Sequence, residues 1–375
     1  MVWCVKIFGM NIQTLKESIS SVHDSRRTAY GHIRHRLEDI VIIGLCVAIC
    51  GGEDFSDMET FGREREKWLR QFLELPNGIP DADTFRRVFE RLDPQELGGC
   101  LRRWLDVERG ARGVVAVDGK TIRGSASSAH GAYHVVSAFA EESQLVLGEL
   151  CVDDKSNEIT AVPELLDMLD VEGAIVTADA MSCQRKTADK IIEKKADYVL
   201  ALKDNQPELR EDAALFFGSF GASLPTETAL DKGHGRVERR EYALATDIGW
   251  LAQRPLWKGL NGIGRAVSTV WEGEAQRTET RYFITSLTDL GAFARAVRKH
   301  WSIENQLHWC LDVTFREDAS RARKDNSPLN MNILRKTALT CLSQAKYGRI
   351  SKKKMMFKSA LNPEVMLDVL FLRKK

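Results

Sequence analysis

Two short apolar runs, Val114-Val-Ala-Val-Asp118 and Ile175-Val-Thr-Ala-Asp179, each deliver one aspartate at their C-terminal end. Runs this short and this rich in β-branched side chains predict strands buried on both faces. Such strands need helices above and below, so the middle of the chain is committed to a mixed α/β layer structure. If the two strands are neighbours, their carboxylates meet at one rim of the sheet.

The flanking pattern extends this frame. Residues 11–107 read as helical, with Arg36-Leu-Glu-Asp-Ile-Val-Ile-Ile-Gly-Leu-Cys-Val-Ala-Ile as a buried helix closed by Gly51-Gly52. A second helix is expected over 61–72, and a third over 84–92 with Asp83 as its N-cap. Strands are expected at 114–117, 133–140, 144–152, 174–178 and 198–202, with helices at 163–169 and 185–195. The order β-β-β-α-β-α-β is that of an RNase H-like mixed sheet. Strand-like segments within residues 205–287 read as an inserted β-subdomain. A long helix then starts near Asp289 and runs through Glu304 toward Leu311. The fold class is α+β or mixed α/β, with an all-helical region (11–107) before the core (112–350) and a basic segment (351–375) after it.

A length of 375 residues suggests two or three domains and allows a sizeable core. Eight cysteines stand singly with no C-x-x-C spacing, which suits reduced structural thiols and a cytoplasmic setting. The apolar stretch over 40–50 is too short to span a membrane. The opening Met-Val-Trp-Cys-Val-Lys-Ile-Phe lacks signal-peptide features and reads as an upstream start-codon extension. A net charge of +1 argues against nucleic-acid binding by the chain as a whole. Its distribution reverses that: residues 319–375 hold fourteen Lys and Arg against Asp325, Glu364 and Asp368. Local basic surface is what displaces counterions from a phosphate backbone. A solvated tail is the alternative.

In His300-Trp-Ser-Ile-Glu304-Asn-Gln-Leu-His308-Trp, the residues His300, Glu304, His308 and Asp312 recur every four positions and share one helical face. Polar, ligand-capable side chains on an otherwise Trp/Ile/Leu-rich helix are costly unless they face a site. Two strand-end aspartates and one helical glutamate can hold a pair of divalent cations, the arrangement that drives phosphodiester hydrolysis and strand transfer. Asp118, Asp179 and Glu304 are the candidate catalytic and metal-binding residues, with Glu317 and Asp318 as substitutes for the third acid. Each aspartate could instead be a cap or turn residue, and His300, Glu304 and His308 could form a zinc site. Lys120, Arg123 and Lys203 follow strand ends and are candidate DNA-phosphate contacts. Arg236, Arg239 and Arg240 form a second basic cluster. His300, His308, Arg321 and Arg323 complete the candidate DNA-binding set.

These residues resemble the DDE transposases of bacterial insertion sequences, and specifically the ISAs-type family that includes the H-repeat-associated proteins. The likeness covers nearly the whole chain. In the N-terminal part it rests on Arg34-His-Arg-Leu-Glu-Asp, Phe61-Gly-Arg-Glu-Arg-Glu-Lys-Trp-Leu and Leu75-Pro-Asn-Gly-Ile-Pro-Asp-Ala-Asp-Thr-Phe. Further on it rests on Val117-Asp-Gly-Lys-Thr-Ile-Arg-Gly-Ser, Ala178-Asp-Ala-Met, Leu202-Lys-Asp-Asn-Gln and Gly235-Arg-Val-Glu-Arg-Arg. The most specific match runs from Lys299-His-Trp-Ser-Ile-Glu to Val-Thr-Phe-Arg-Glu-Asp318.

The resemblance implies an RNase H-like core with a β-rich insertion before the catalytic glutamate. It implies a triad of Asp118, Asp179 and Glu304, and Mg²⁺ as cofactor with Mn²⁺ as substitute. The partner it implies is double-stranded DNA, as inverted-repeat ends and target, bound by a homodimer. The wider superfamily's Tyr-x₂-Arg-x₃-Glu-x₆-Lys signature is not met. Val297, His300 and Leu311 stand at its Tyr, Arg and Lys positions, so the DNA-end contacts of that signature do not carry over. Two rival readings stay open: a DNA-binding relic without chemistry, and a metal-dependent nuclease without strand transfer.

Overall fold

The computed structural model describes residues 11–26, 33–105, 111–127, 130–152, 157–233, 235–345, 347–348 and 350–372. The opening segment and Lys346, Arg349 and residues 373–375 of the basic segment lie outside the described residues.

Five helices come first: α1 (Ile12–Ser20), α2 (Leu37–Cys50), α3 (Phe55–Leu69), α4 (Ala82–Arg91) and α5 (Pro94–Trp104). α2 is buried on every side, which explains a sequence with no polar face, and Gly51 ends it in the left-handed region at φ 89°. Two expectations are corrected here. α3 begins at Phe55, capped by Asp54, and ends before the expected 72. Asp81, not Asp83, caps α4: its carboxylate accepts the Thr84 N–H at 2.7 Å. Asp83 lies inside the first turn and pairs with Arg86 and Arg87 instead.

The sheet follows, in the order β1 (Val114–Thr121), β2 (His134–Ala140), β3 (Leu145–Val152), α6 (Glu158–Asp167), β4 (Ile175–Ala178), α7 (Arg185–Glu193) and β5 (Asp197–Leu202). The helix expected at 163–169 begins at Glu158, so Pro163 lies inside it rather than at its start. Next come α8 (Pro207–Phe220), β6 (Thr226–Gly233), β7 (Arg236–Ala245), β8 (Gly262–Glu272), β9 (Ala275–Thr285) and α9 (Leu290–Ser302). The strands form one nine-stranded sheet, β3-β2-β1-β4-β5-β9-β8-β7-β6. β4 runs parallel to β1 and β5, and every other pairing is antiparallel. The first five strands are an RNase H-like core. The inserted strands do not stand apart, because β9 hydrogen-bonds along β5 and carries the sheet onward. β6 has no legible pattern in the sequence: it is an edge strand, exposed on both faces, so nothing selects alternating apolar residues.

One face of the core sheet, with Val115, Val117, Val176, Tyr198 and Leu200, is covered by α6, α7 and α8. The opposite face, with Val114 and Val199, is covered by α9 through Phe293, Ala296 and Val297. Gly264 of β8 lies under the Phe293 ring, and a Cβ there would collide with it. Gly264→Ala is therefore expected to lose about 1–3 kcal/mol in urea unfolding by overpacking.

The chain ends in α10 (Ser327–Gln344), α11 (Lys352–Leu361) and α12 (Pro363–Leu370), which return to the N-terminal helices and complete their core. The basic segment is thus not a solvated tail. Met355, Met356, Val365, Met366, Val369 and Leu370 are buried, because an amphipathic helix spends one face on packing whatever its net charge. Arg335 and Lys336 are also buried, paired with Glu317 and Glu149. Lys353, Lys354 and Lys358 remain on the surface. Among the described residues, no helix is long and apolar enough to cross a membrane.

Candidate metal centre

The parallel register sets Val117 opposite Ala178, so the next residues, Asp118 and Asp179, leave neighbouring strands side by side. Only the β4 side of β1 ends there. On the β2 side the ladder continues to Thr121, with Asp118 opposite Ser137. Asp118 is thus held within a paired strand rather than at its tip. Gly119 is required beside it, since any Cβ would strike the buried His134–Glu158 pair.

Asp289 caps α9, accepting the Ala292 N–H at 2.7 Å. After Ser302 the helix widens into π-helical turns over Ile303–His308 and Cys310–Thr314. This departs from the uniform helix expected, and it has a geometric consequence. At 3.6 residues per turn, each four-residue step overshoots by about 40°. The wider i→i+5 turns take that rotation back, so side chains four apart stay in line over a longer distance. π-helical insertions of this kind concentrate at functional sites.

Ligand atoms of Asp118, Glu304 and His308 lie within 4.8 Å of one another. His308 Nδ1 is 3.6 Å from Asp118 Oδ2 and 3.7 Å from Glu304 Oε2. Asp118 and His308 are 16% and 6% exposed in their side chains, whereas Glu304 opens to solvent at 55%. Asp179 stands next to this group, its Oδ1 accepting the Ser182 N–H at 3.2 Å. Burial, then the charges of Glu304 and Asp179, push Asp118 up to about 8. The neighbouring His308 holds Glu304 below the usual carboxylate range, against its own burial. Carboxylates crowded until one resists ionising form a cavity short of positive charge, and a divalent cation supplies it. The donor set fits a divalent metal ion.

His300 borders this group without joining it. Its Nδ1 meets Thr177 Oγ1 of β4 at 2.9 Å, and burial pushes the imidazole down to about 4. It is neutral at pH 7, so it lacks the charge of an ionic phosphate contact. The zinc grouping of His300, Glu304 and His308 is replaced by one in which Asp118 takes the place of His300. A pattern of residues on one helix cannot reveal a ligand arriving from the sheet.

Lys120 is the main correction among the basic residues. Its Nζ lies 2.7 Å from Asp312 and 3.2 Å from Glu317, and its side chain is 10% exposed. Burial would depress its pKa, but Glu317 and Asp312 more than offset that and raise it. It is an internal counter-ion joining β1 to the segment after the π-helical turns, not an open phosphate contact. Neither fallback acid joins the metal cluster: Glu317 is buried against Arg335 and Lys120, and Asp318 lies between Lys120 and Arg123.

Arg123 and Arg321 are exposed, and Arg323 donates from Nε to the Gly124 carbonyl at 3.1 Å. Arg123 follows β1 and Lys203 directly follows β5, so both lie at the edge of the sheet where Asp118 and Asp179 meet. β5 pairs with β9 only from Tyr282 onward, so the earlier part of β9, with β8 and the start of β7, projects past that edge. Arg236 and Arg239 sit on this projection, Arg239 paired with Glu241 at 3.0 Å. Arg281 of β9 lies over the Trp301 ring at 4.9 Å, tying the projection to the helix that carries Glu304.

Residues 16–105 match the family model described as DDE_Tnp_1-associated, and residues 109–341 match the Transposase DDE domain. "Putative transposase YncI" of Escherichia coli O157:H7 is 38% identical, over 96% of this chain and 95% of its own length. "H repeat-associated putative transposase YhhI" of Escherichia coli K12 is 36% identical, over 96% and 98%. A solved piggyBac transposase synaptic complex with hairpin DNA is a distant likeness: TM-score 0.41 and 12% identity, covering 98% of this chain and 80% of that one. The match extends over both segments and nearly full length, and the chain belongs to the DDE transposase family.

Proposed function

We propose that this protein cuts DNA at the inverted-repeat ends of an insertion sequence and joins the freed ends to a target, using divalent cations held by Asp118, Glu304 and Asp179. The observation that carries this reading is the convergence of Asp118 and Glu304, from strand and helix, beside Asp179 at the sheet rim. Bound divalent cations, Mg²⁺ or Mn²⁺, would polarise the scissile phosphate and activate the attacking oxygen.

The residues of the chain do the rest. Asp118, fixed in a paired strand, keeps its carboxylate at one position. Glu304 faces solvent, on the side from which a duplex arrives. Arg123, Lys203, Arg321 and Arg323 along the rim, with Arg236 and Arg239 on the projecting strands, bear on the phosphate backbone. Coordinated joining requires two ends held together, which two copies of the chain on DNA provide.

The test is cleavage of a labelled duplex carrying the flanking DNA of the gene, in Mg²⁺ or Mn²⁺. Cutting at the element end, followed by joining to a second DNA, is the expected product pattern. Binding without cutting would identify a relic, and cutting without joining a nuclease.

A further inference from the structure

Building on the metal-centre reading, we propose that His308 is itself a cation ligand through Nδ1. This makes the centre a mixed carboxylate–imidazole site that selects Mn²⁺ or Co²⁺ over Mg²⁺.

The spacing carries the argument. Nδ1 lies 3.6 Å from Asp118 Oδ2 and 3.7 Å from Glu304 Oε2, too far for a hydrogen bond to either. The ring is therefore not held by donating to one carboxylate. Ligands about 2.1 Å from a shared ion, at ordinary coordination angles, stand about 3.0–3.6 Å from one another. Nδ1 stands close to that spacing from both carboxylates, and all three ligand atoms lie within 4.8 Å of one another.

The helix makes this pairing natural. Glu304 and His308 are four residues apart, the separation that brings two side chains of one helix to a single ion. Buried Ile303, Leu307 and Leu311 anchor the same turns and fix the ring's approach. His308 is 5% exposed, and its buried Nε2 has no hydrogen-bond partner among the described residues. Its polar face is spent on the two carboxylates alone.

The choice of metal follows from the donors. Mg²⁺ favours an all-oxygen octahedron and keeps its water. An imidazole nitrogen adds affinity along the series from Mn²⁺ upward and adds little for Mg²⁺.

The experiment loads the full chain, labelled with ¹⁵N-histidine, with Mn²⁺ and records electron spin-echo modulation, alongside Mn²⁺ and Mg²⁺ affinities. Wild type should show histidine-nitrogen coupling, kept in His300→Gln and lost in His308→Gln. Mn²⁺ affinity in His308→Gln should fall about tenfold or more, with Mg²⁺ affinity much less affected. Should His308→Gln fail to fold, the wild-type and His300→Gln spectra decide the matter between them. Tight Mn²⁺ binding with no nitrogen coupling, or coupling lost in His300→Gln, overturns the role of His308 and leaves the metal centre standing. Wild type that binds no Mn²⁺ overturns both.

Discussion

Asp118→Asn is expected to abolish metal-dependent cleavage while making the metal-free protein more stable than wild type above pH 8. Loss of cleavage, by about 10³-fold or more, follows from removing the carboxylate that the strand presents to the cation. The gain in stability follows from the crowding around it. Asp118 titrates near 8 in the folded protein against 3.8 for an unperturbed aspartate, raised by burial and by Glu304 and Asp179.

The sign is set by which state loses its proton first. Between pH 3.8 and about 8 the unfolded chain releases the Asp118 proton and the folded chain keeps it, so stability falls across that window. Above about 8 the penalty stands in full, and asparagine removes it. Thermal unfolding at pH 8.5 in chelator should place Asp118→Asn above wild type by about 3 °C or more, with the two converging toward pH 4. Mn²⁺ should then raise wild type and leave the variant unmoved. A variant less stable than wild type at pH 8.5 would mean that Asp118 makes a stabilising contact rather than a strained one.

Lys120→Met is expected to be the most destabilising of the charge-removing changes at the site, by about 3 kcal/mol or more. Lys120 neutralises Asp312 at 2.7 Å and Glu317 at 3.2 Å. Glu317 is fully buried, and its remaining partners are Arg335 at 3.6 Å and the Asn332 amide at 2.8 Å. Removing one cation leaves more negative charge in the interior than the rest can balance. Urea unfolding at pH 7 measures this, and Arg123→Ala, whose side chain is 80% exposed, should move within about 0.5 kcal/mol. Lys120 also ties β1 to the chain just after His308. The variant should therefore bind Mn²⁺ more weakly even at temperatures where it stays folded. Undiminished metal affinity would limit Lys120 to stability alone.

Much of the site was legible in the chain because its signals are local. The strand ending before Asp179, the helix start near Asp289 and the stripe of His300, Glu304, His308 and Asp312 each depend on a few consecutive residues. The basic residues were harder to assign. Composition counts Lys120, Arg335 and Lys336 with the exposed arginines, but burial and ion pairing separate them, and neither is a property of a charge tally. α8 and β6 left little pattern, since each keeps a wide face in solvent.

What the sequence determined by itself is the set of periodicities: helices from 3.6, strands from short branched runs, and the acids each would carry. Tertiary structure decided which of those acids meet. Asp118 and Glu304 are 186 positions apart and become neighbours only because α9 packs on the face of the sheet that includes β1 and its helix widens after Ser302. The same packing turned His300 toward Thr177 and His308 toward the carboxylates, although the two histidines share one stripe. Periodicity fixes the face of an element on which a residue lies. Which partner that face meets depends on the packing of the whole chain.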